Sequence, residues 1–417
     1  MITLVSNPAQ LITVDTQGEN IKRGKNLALI SPLYEHHLLI EDEIIKDFIP
    51  FHSTKKIIPD RIIDVKNKTI IPGLIDCHTH TVFAGSRANE FKQKLNGTSY
   101  EEISISGGGI NATVNAVKNS TFEELINLAK PRINNFISQG VTTLEIKSGY
   151  GLDFENEMKL LKVINKLNAI YKIDIIPTFL GAHTFPLKFM GSKDEYLSLI
   201  IDIMLPTIWK NNLTVFCDGF CEQTAFSALQ IDKIFSEAKH LGFNLRLHTD
   251  QFTNIGGIKT ALKHNSVSID HLEVISEDDI KLVAKSDLVC VLLPGVSYFL
   301  NYGYAPARKL IDSNAIVALS TDYNPGSCNI NNLSLIMNLA AIKMEMTFEE
   351  IISAFTINAA AALLLNKKIG SIEIGKLADL SILDTQDFSE VIYNVCKNFN
   401  YMTIKRGEII YKNETDQ

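Results

Sequence analysis

No run of apolar residues in this sequence approaches the roughly 18 needed for a membrane-spanning helix, and no Lys/Arg cluster is interleaved with aromatics. The first absence argues against a helical membrane protein. The second, with a net charge of only -7, leaves neither nucleic acid nor an anionic membrane as an evident partner. A basic segment followed by an apolar core is also missing at the N-terminus, so a cytoplasmic location is expected. Internal repeats and low-complexity tracts are missing too, apart from the alanine-rich run ending near Leu365. Cysteines are few. Cys77, Cys217, Cys221, Cys290, Cys328 and Cys396 sit mostly in strand-like apolar contexts rather than in a dense disulfide framework, which points to reduced thiols. Cys217 and Cys221 have a spacing that a metal clip could use, but no second pair completes a four-ligand site.

What is present is ordinary globular material: 46% hydrophobic and 21% charged residues over 417 positions. That composition excludes general disorder, and the length allows one large α/β domain plus a smaller one. Residues 1–69 alternate short β-like runs (Thr3–Ser6, Asn26–Ile30, Leu38–Ile40 and Arg61–Val65) with turn residues, and read as part of a small β domain. Residues 367–417 have the same texture, with a strand at Leu380–Leu383 and a hairpin over Tyr401–Tyr411 turning at Arg406-Gly407. Neither end is long enough to bury a sheet alone, so the two are expected to form one composite β-sandwich.

Residues 70–366 alternate strand and helix patterns. Eight strands are predicted: Thr69–Asp76, Val141–Lys147, Ile173–Leu180, Thr214–Asp218, Asn244–Leu247, Ser266–Ile269, Leu288–Leu293 and Ala315–Leu319. Eight parallel strands close a (β/α)8 barrel of the TIM type, whose chemistry sits at the carboxyl ends of the strands. Capping boxes are predicted at Ser120 with Glu123 and at Thr347 with Glu350, and Ser106–Gly109 reads as a glycine-rich loop or a plain flexible turn.

The strand ends carry the informative residues. The first runs into His78-Thr79-His80, and since side chains on a strand alternate, both imidazoles face one way. An H-x-H spacing alone is weak, a histidine at a strand end is commonly a rim residue, and an aspartate there is commonly a helix cap. Their joint placement is informative: His248 follows the fifth strand, Asp270-His271 the sixth and Asp322 the eighth, all on one face of a closed barrel. Imidazoles with one carboxylate bind a transition metal, leaving a position for a water whose pKa falls to about 7. Asp322 can be both ligand and proton acceptor, while His271, if off the metal, can hydrogen-bond that water or shuttle its proton.

This ligand order, with the flanking sandwich and the segment GKLADLSILD (Gly375 to Asp384), resembles the metal-dependent amidohydrolase superfamily. The segments DCHTHTVFAGSRANEF (Asp76 to Phe91), EIKSGYGL (Glu145 to Leu152), TFLGAHTFP (Thr178 to Pro186), LHTDQF (Leu247 to Phe252) and STDYNPGS (Ser320 to Ser327) resemble its imidazolonepropionase family, across nearly the whole chain. The resemblance implies hydrolytic opening of 4-imidazolone-5-propanoate to N-formimidoyl-L-glutamate, a step of histidine degradation. It implies one zinc or iron ion per subunit held by His78, His80, His248 and Asp322, with His271 beside the water. It further implies substrate contacts from Arg87, Tyr150, His183, Gln251, Asn324, Gly326 and Ser327, and suggests a homodimer. Dinuclear superfamily members carry a carboxylated lysine at the end of the fourth strand. Here that strand reads TVFCDGF, and Lys147 ends the second instead, which favours one metal. Some relatives place glutamate where Gln251 stands; an amide cannot titrate, so proton transfer would fall to His271 and Asp322. The rival readings are a purine or pyrimidine aminohydrolase with the same ligands, and a non-catalytic barrel used for binding.

Overall fold

The computed structural model describes residues 1–54, 57–97 and 108–413. Eight parallel strands run in sequence order around a barrel: Leu74–Asp76, Val141–Lys147, Asp174–Ala182, Phe216–Cys221, Asn244–Thr249, Ser268–His271, Val289–Leu292 and Ile316–Leu319. Most of these strands are buried along their whole length, as expected where side chains fill the barrel inside and helices cover it outside. The seam between the first and eighth strands closes just beyond their carboxyl ends: Asp322 N–H donates to the His78 carbonyl (3.0 Å), and His80 N–H to that of Tyr323 (2.9 Å). Asp76 fastens the same seam, accepting from the Ser320 hydroxyl, from Thr321 N–H (3.1 Å) and from Thr321 Oγ1 (2.7 Å).

The expected first strand, Thr69–Asp76, is two strands. Thr69–Pro72 pairs antiparallel with Leu380–Leu383 in a sheet drawn from both chain ends, and only Leu74–Asp76 belongs to the barrel. Gly73 makes the break. A side chain there would lie 2.4 Å from Thr142, and its N–H donates to Asp379 O (2.8 Å).

The composite sheet has six strands, in the order Glu408–Lys412, Asn400–Lys405, Leu380–Leu383, Thr69–Pro72, Gln10–Ile12 and Pro32–Leu33. It packs on a four-stranded sheet of N-terminal segments around Val5, Leu38, Ile40, Ile70, Leu380 and Ile404. Asn26–Ile30 is not a strand: Gly24–Ala28 forms a 3₁₀ turn, and Leu27 and Ile30, three apart, bury together against the barrel helices. A strand absent from the sequence reading, Ile44–Pro50, pairs with His36–Glu41.

Helices fill the crossovers. The capping box of Phe122–Ser138 is Thr121 with Glu124, one residue beyond the predicted pair, because Ser120 closes the preceding helix by donating to Ala116 O (2.8 Å). Thr347 and Glu350 form the predicted box. Residues Ser106 and Gly107 of the glycine-rich segment lie outside the described residues. Cys217 and Cys221 are free thiols buried in the core. No described helix is long and apolar enough to cross a membrane.

Candidate metal centre and substrate pocket

The barrel brings His78, His80, His248, His271 and Asp322 together. Ligand atoms of His78, His248 and His271, and of His78, His80 and Asp322, form two groups within each of which all lie within 4.8 Å of one another. Asp322 Oδ1 is 3.4 Å from Nε2 of both His78 and His80. Two ligand histidines are oriented from behind. His78 Nδ1–H donates to Asp270 (2.6 Å) and His248 Nδ1–H to Asp218 (3.0 Å). Each bond fixes the tautomer that leaves Nε2 with its lone pair toward the centre. The Nε2 atoms of His78 and His248 and Oδ1 of Asp322 are buried without any hydrogen-bond partner. Such orphaned acceptors are costly unless a cation faces them, so this donor set fits a metal ion.

Beneath the histidines lies a charged layer that a barrel interior would ordinarily fill with aliphatic residues. Lys147 Nζ donates to Glu145 (2.8 Å) and Asp218 (2.9 Å) and lies 3.8 Å from Asp270. Arg246 donates to Asp270 (3.0 Å) and to the Cys77 carbonyl (2.8 Å). Burial and Arg246 oppose the charge on Lys147, but Asp218, Glu145 and Asp270 outweigh them and raise its pKa. Burial likewise opposes ionisation of Asp218 and Asp270, yet His248 and Lys147 beside the first, and Arg246, His78 and Lys147 beside the second, hold both well below the usual carboxylate range. Burial pushes His248 well below the usual imidazole value despite Asp218, which keeps it a neutral ligand.

Above the centre is a small cavity of about 50 Å³, partly open to solvent, lined by His80, Tyr150, His183, Phe220, His248, Gln251, His271, Asp322, Asn324 and Ser327. His183 stacks on His80 with centroids 5.4 Å apart, and its Nδ1–H donates to Gly149 O (3.0 Å). Burial is the main cause that lowers its pKa to about 3, so it faces the cavity as a neutral ring. Arg87 lies against Gly326, with Nε–H donating to Glu90 (2.8 Å).

Three loops that carry pocket residues are each organised by a buried or partly buried acceptor. Glu157 takes the N–H groups of Gly149, Gly151 and Leu152 and so shapes the turn around Tyr150. Glu222 takes those of Phe252 and Thr253 after Gln251. Asn324 Oδ1 takes those of Gly326 (2.8 Å) and Ser327 (2.7 Å), while its Nδ2 donates to Asp322 O (2.7 Å). The Asn324 amide is therefore engaged by its own loop, the Ser327 hydroxyl included, while Arg87 keeps its Nη atoms beside that loop.

A Cβ at Gly326 would fall 2.2 Å from Arg87 Nη1. Gly326→Ala is expected to displace the guanidinium and raise KM about tenfold, worth about 1.4 kcal/mol, with Tm and metal content unchanged; steady-state kinetics and a melting curve check this.

Sequence reasoning did not single out Asp218, Glu145 and Arg246 beneath the ligands, nor Phe220, Glu273 and Tyr302 beside the cavity. Asp218 had a signal: it ends the predicted fourth strand, one strand over from His248, which it orients, whereas Asp270 reaches His78 from across the barrel. His271 and Leu272 adopt φ of 89° and 74°, a break from extended backbone that lets neighbouring Asp270 and His271 both serve the centre.

A barrel with His, His, His and Asp gathered at its carboxyl face, beside a sandwich of both chain ends, defines an amidohydrolase-type enzyme, a class that depends on metal. The amidohydrolase family model matches residues 207–410. An imidazolonepropionase of Alkaliphilus oremlandii is 42% identical over 97% of both chains, and one of Thermoanaerobacter pseudethanolicus is 44% identical over 92% of both. A zinc-bound adenosine deaminase structure from Xanthomonas campestris shares the fold, with a TM-score of 0.70 at 18% identity over 98% of this chain and 92% of that one. The chain belongs to the imidazolonepropionase family of amidohydrolases, hydrolases acting on carbon-nitrogen bonds.

Proposed function

We propose that this protein opens the ring of 4-imidazolone-5-propanoate to N-formimidoyl-L-glutamate at a single metal ion held by His78, His80, His248 and Asp322. The observation that carries the reading is an orphaned His/Asp centre below a cavity lined by Asn324 and Ser327, with the Arg87 guanidinium lying against Gly326 between them in the same loop. When bound, zinc or iron supplies Lewis acidity and lowers the pKa of a water; imidazole and carboxylate suit either ion. One ion is favoured because Lys147 is ion-paired beneath the histidines and so lacks the neutral amine that carboxylation requires.

The chain's own residues would do the rest. Arg87 takes the propanoate through its Nη atoms, since Nε is engaged by Glu90. Neutral His183 and Tyr150 hydrogen-bond the ring, Gln251 and Ser327 orient it, and Phe220 forms an apolar wall. His271 and Asp322 accept the proton of the attacking water, and one of them returns it to the leaving ring nitrogen as the C–N bond breaks. A cytoplasmic, homodimeric enzyme acting on a small molecule, without nucleic acid or membrane partners, fits this reading.

Arg87→Met is expected to raise KM about 100-fold, about 2.7 kcal/mol for a lost charge-assisted bidentate pair, with metal content unchanged. An unaltered KM would remove the tail-recognition argument. The assignment is tested by following loss of the imidazolone chromophore with a purine as control. Ring opening without ammonia release supports it; deamination of the purine in preference would favour an aminohydrolase.

A further inference from the structure

Among the histidines around the cavity, three have Nδ1 held by an acceptor: His78 by Asp270, His248 by Asp218 and His183 by the Gly149 carbonyl. Nδ1 of His271 is buried and unpartnered, yet Oε1 of Glu273 stands only 3.5 Å away. The Glu273 side chain is 2% exposed and its Oε2 is also unpartnered. A buried carboxylate without compensation is costly, and so is the backbone that brings it there, since His271 and Leu272 are consecutive non-glycine residues at positive φ. Val274 N–H donates to Asp250 O (2.9 Å), tying this turn to the end of the fifth strand. From the other side Tyr302 donates its hydroxyl to Glu273 Oε1 (3.3 Å) and receives a hydrogen bond from Gln251 Nε2 (3.1 Å).

We propose that Glu273 is a positioning residue for His271, accepting its Nδ1–H so that the Nε2 lone pair faces the cavity. Catalytic hydrogen bonds are commonly long in the free enzyme and tighten in the complex, and a small rotation of the ring closes this one. Tyr302, itself held by Gln251, keeps the carboxylate in place. The anionic group that Gln251 cannot supply thus stands behind His271 instead of in the pocket, and it acts through the imidazole without touching substrate.

The inference rests on the reading of His271 as the proton-handling group, and a double-mutant cycle separates the two. In metal-loaded enzyme, Glu273→Gln is expected to lower kcat about 30-fold with KM within about twofold and metal content unchanged, and Glu273→Asp to restore part of the loss. In a His271→Asn background, Glu273→Gln is expected to cost less than about twofold further. Tyr302→Phe, which loosens the carboxylate without removing it, is expected to lower kcat about fivefold in the parent and not at all with His271→Asn. An unchanged kcat for Glu273→Gln, a loss that multiplies in the His271→Asn background, or loss of metal would overturn the proposal. Full kcat in His271→Asn alone would remove the reading of His271, and this inference with it.

Discussion

Asp322→Ala is expected to abolish both metal retention and turnover, lowering kcat by at least about 10⁴-fold, or more than about 5 kcal/mol of transition-state stabilisation. Asp322 is the anion in a centre otherwise built of imidazoles, and its Oδ1 is 3.4 Å from both His78 and His80. Burial opposes its ionisation, but the nearness of His78 and His80 holds it well below the usual carboxylate range. Its backbone is held at φ 50° and its N–H is bonded to the His78 carbonyl, so the carboxylate is placed by the barrel seam itself. His248→Ala should share the outcome, since its Nε2 is orphaned while Asp218 fixes its other nitrogen. Metal analysis after gel filtration, with kinetics on the same samples, checks both; a metal-free variant with full activity would sink the assignment.

Lys147→Met is expected to produce the largest loss of stability, about 3–5 kcal/mol, because it leaves buried carboxylates without their cation. Lys147 is fully buried and bonded to Glu145 and Asp218, with Asp270 close by. Arg246 reaches Asp270 but is not among the partners of Glu145 or Asp218. The same substitution releases the carboxylate that orients His248, so metal affinity should fall about 10–100-fold. Denaturant unfolding and a competitive chelator titration measure the two effects. A variant as stable as the parent, with unchanged metal affinity, would show that the charged layer neither supports the fold nor orients the ligands.

The barrel was legible because its strands are short, buried and β-branched, and because chemistry collects at their carboxyl ends. The histidines and Asp322 could be read singly as rim residues, and only the assumption of closure brought them together. The boundary at Gly73 was hidden, since Thr69–Asp76 reads as one strand until the pairing of its two halves with different sheets is known. Ile44–Pro50 was hidden by Lys46 and Asp47, charges that suit an edge strand and break the apolar alternation. The carboxylates behind the ligands could not be assigned from spacing. Asp270 serves His78, 192 residues earlier in the chain, and that pairing exists only because the sixth strand stands across the barrel from the first. Glu273 and Tyr302 lie in loops, where no periodicity reports which way a side chain turns.

The most direct test of a mononuclear ring-opening centre is titration of metal-stripped protein with zinc or iron(II) while the loss of imidazolone propanoate absorbance is followed. Activity is predicted to be absent at the start and to rise linearly to a break at one equivalent per chain. Full turnover by the stripped protein, or a break at two equivalents, would contradict it.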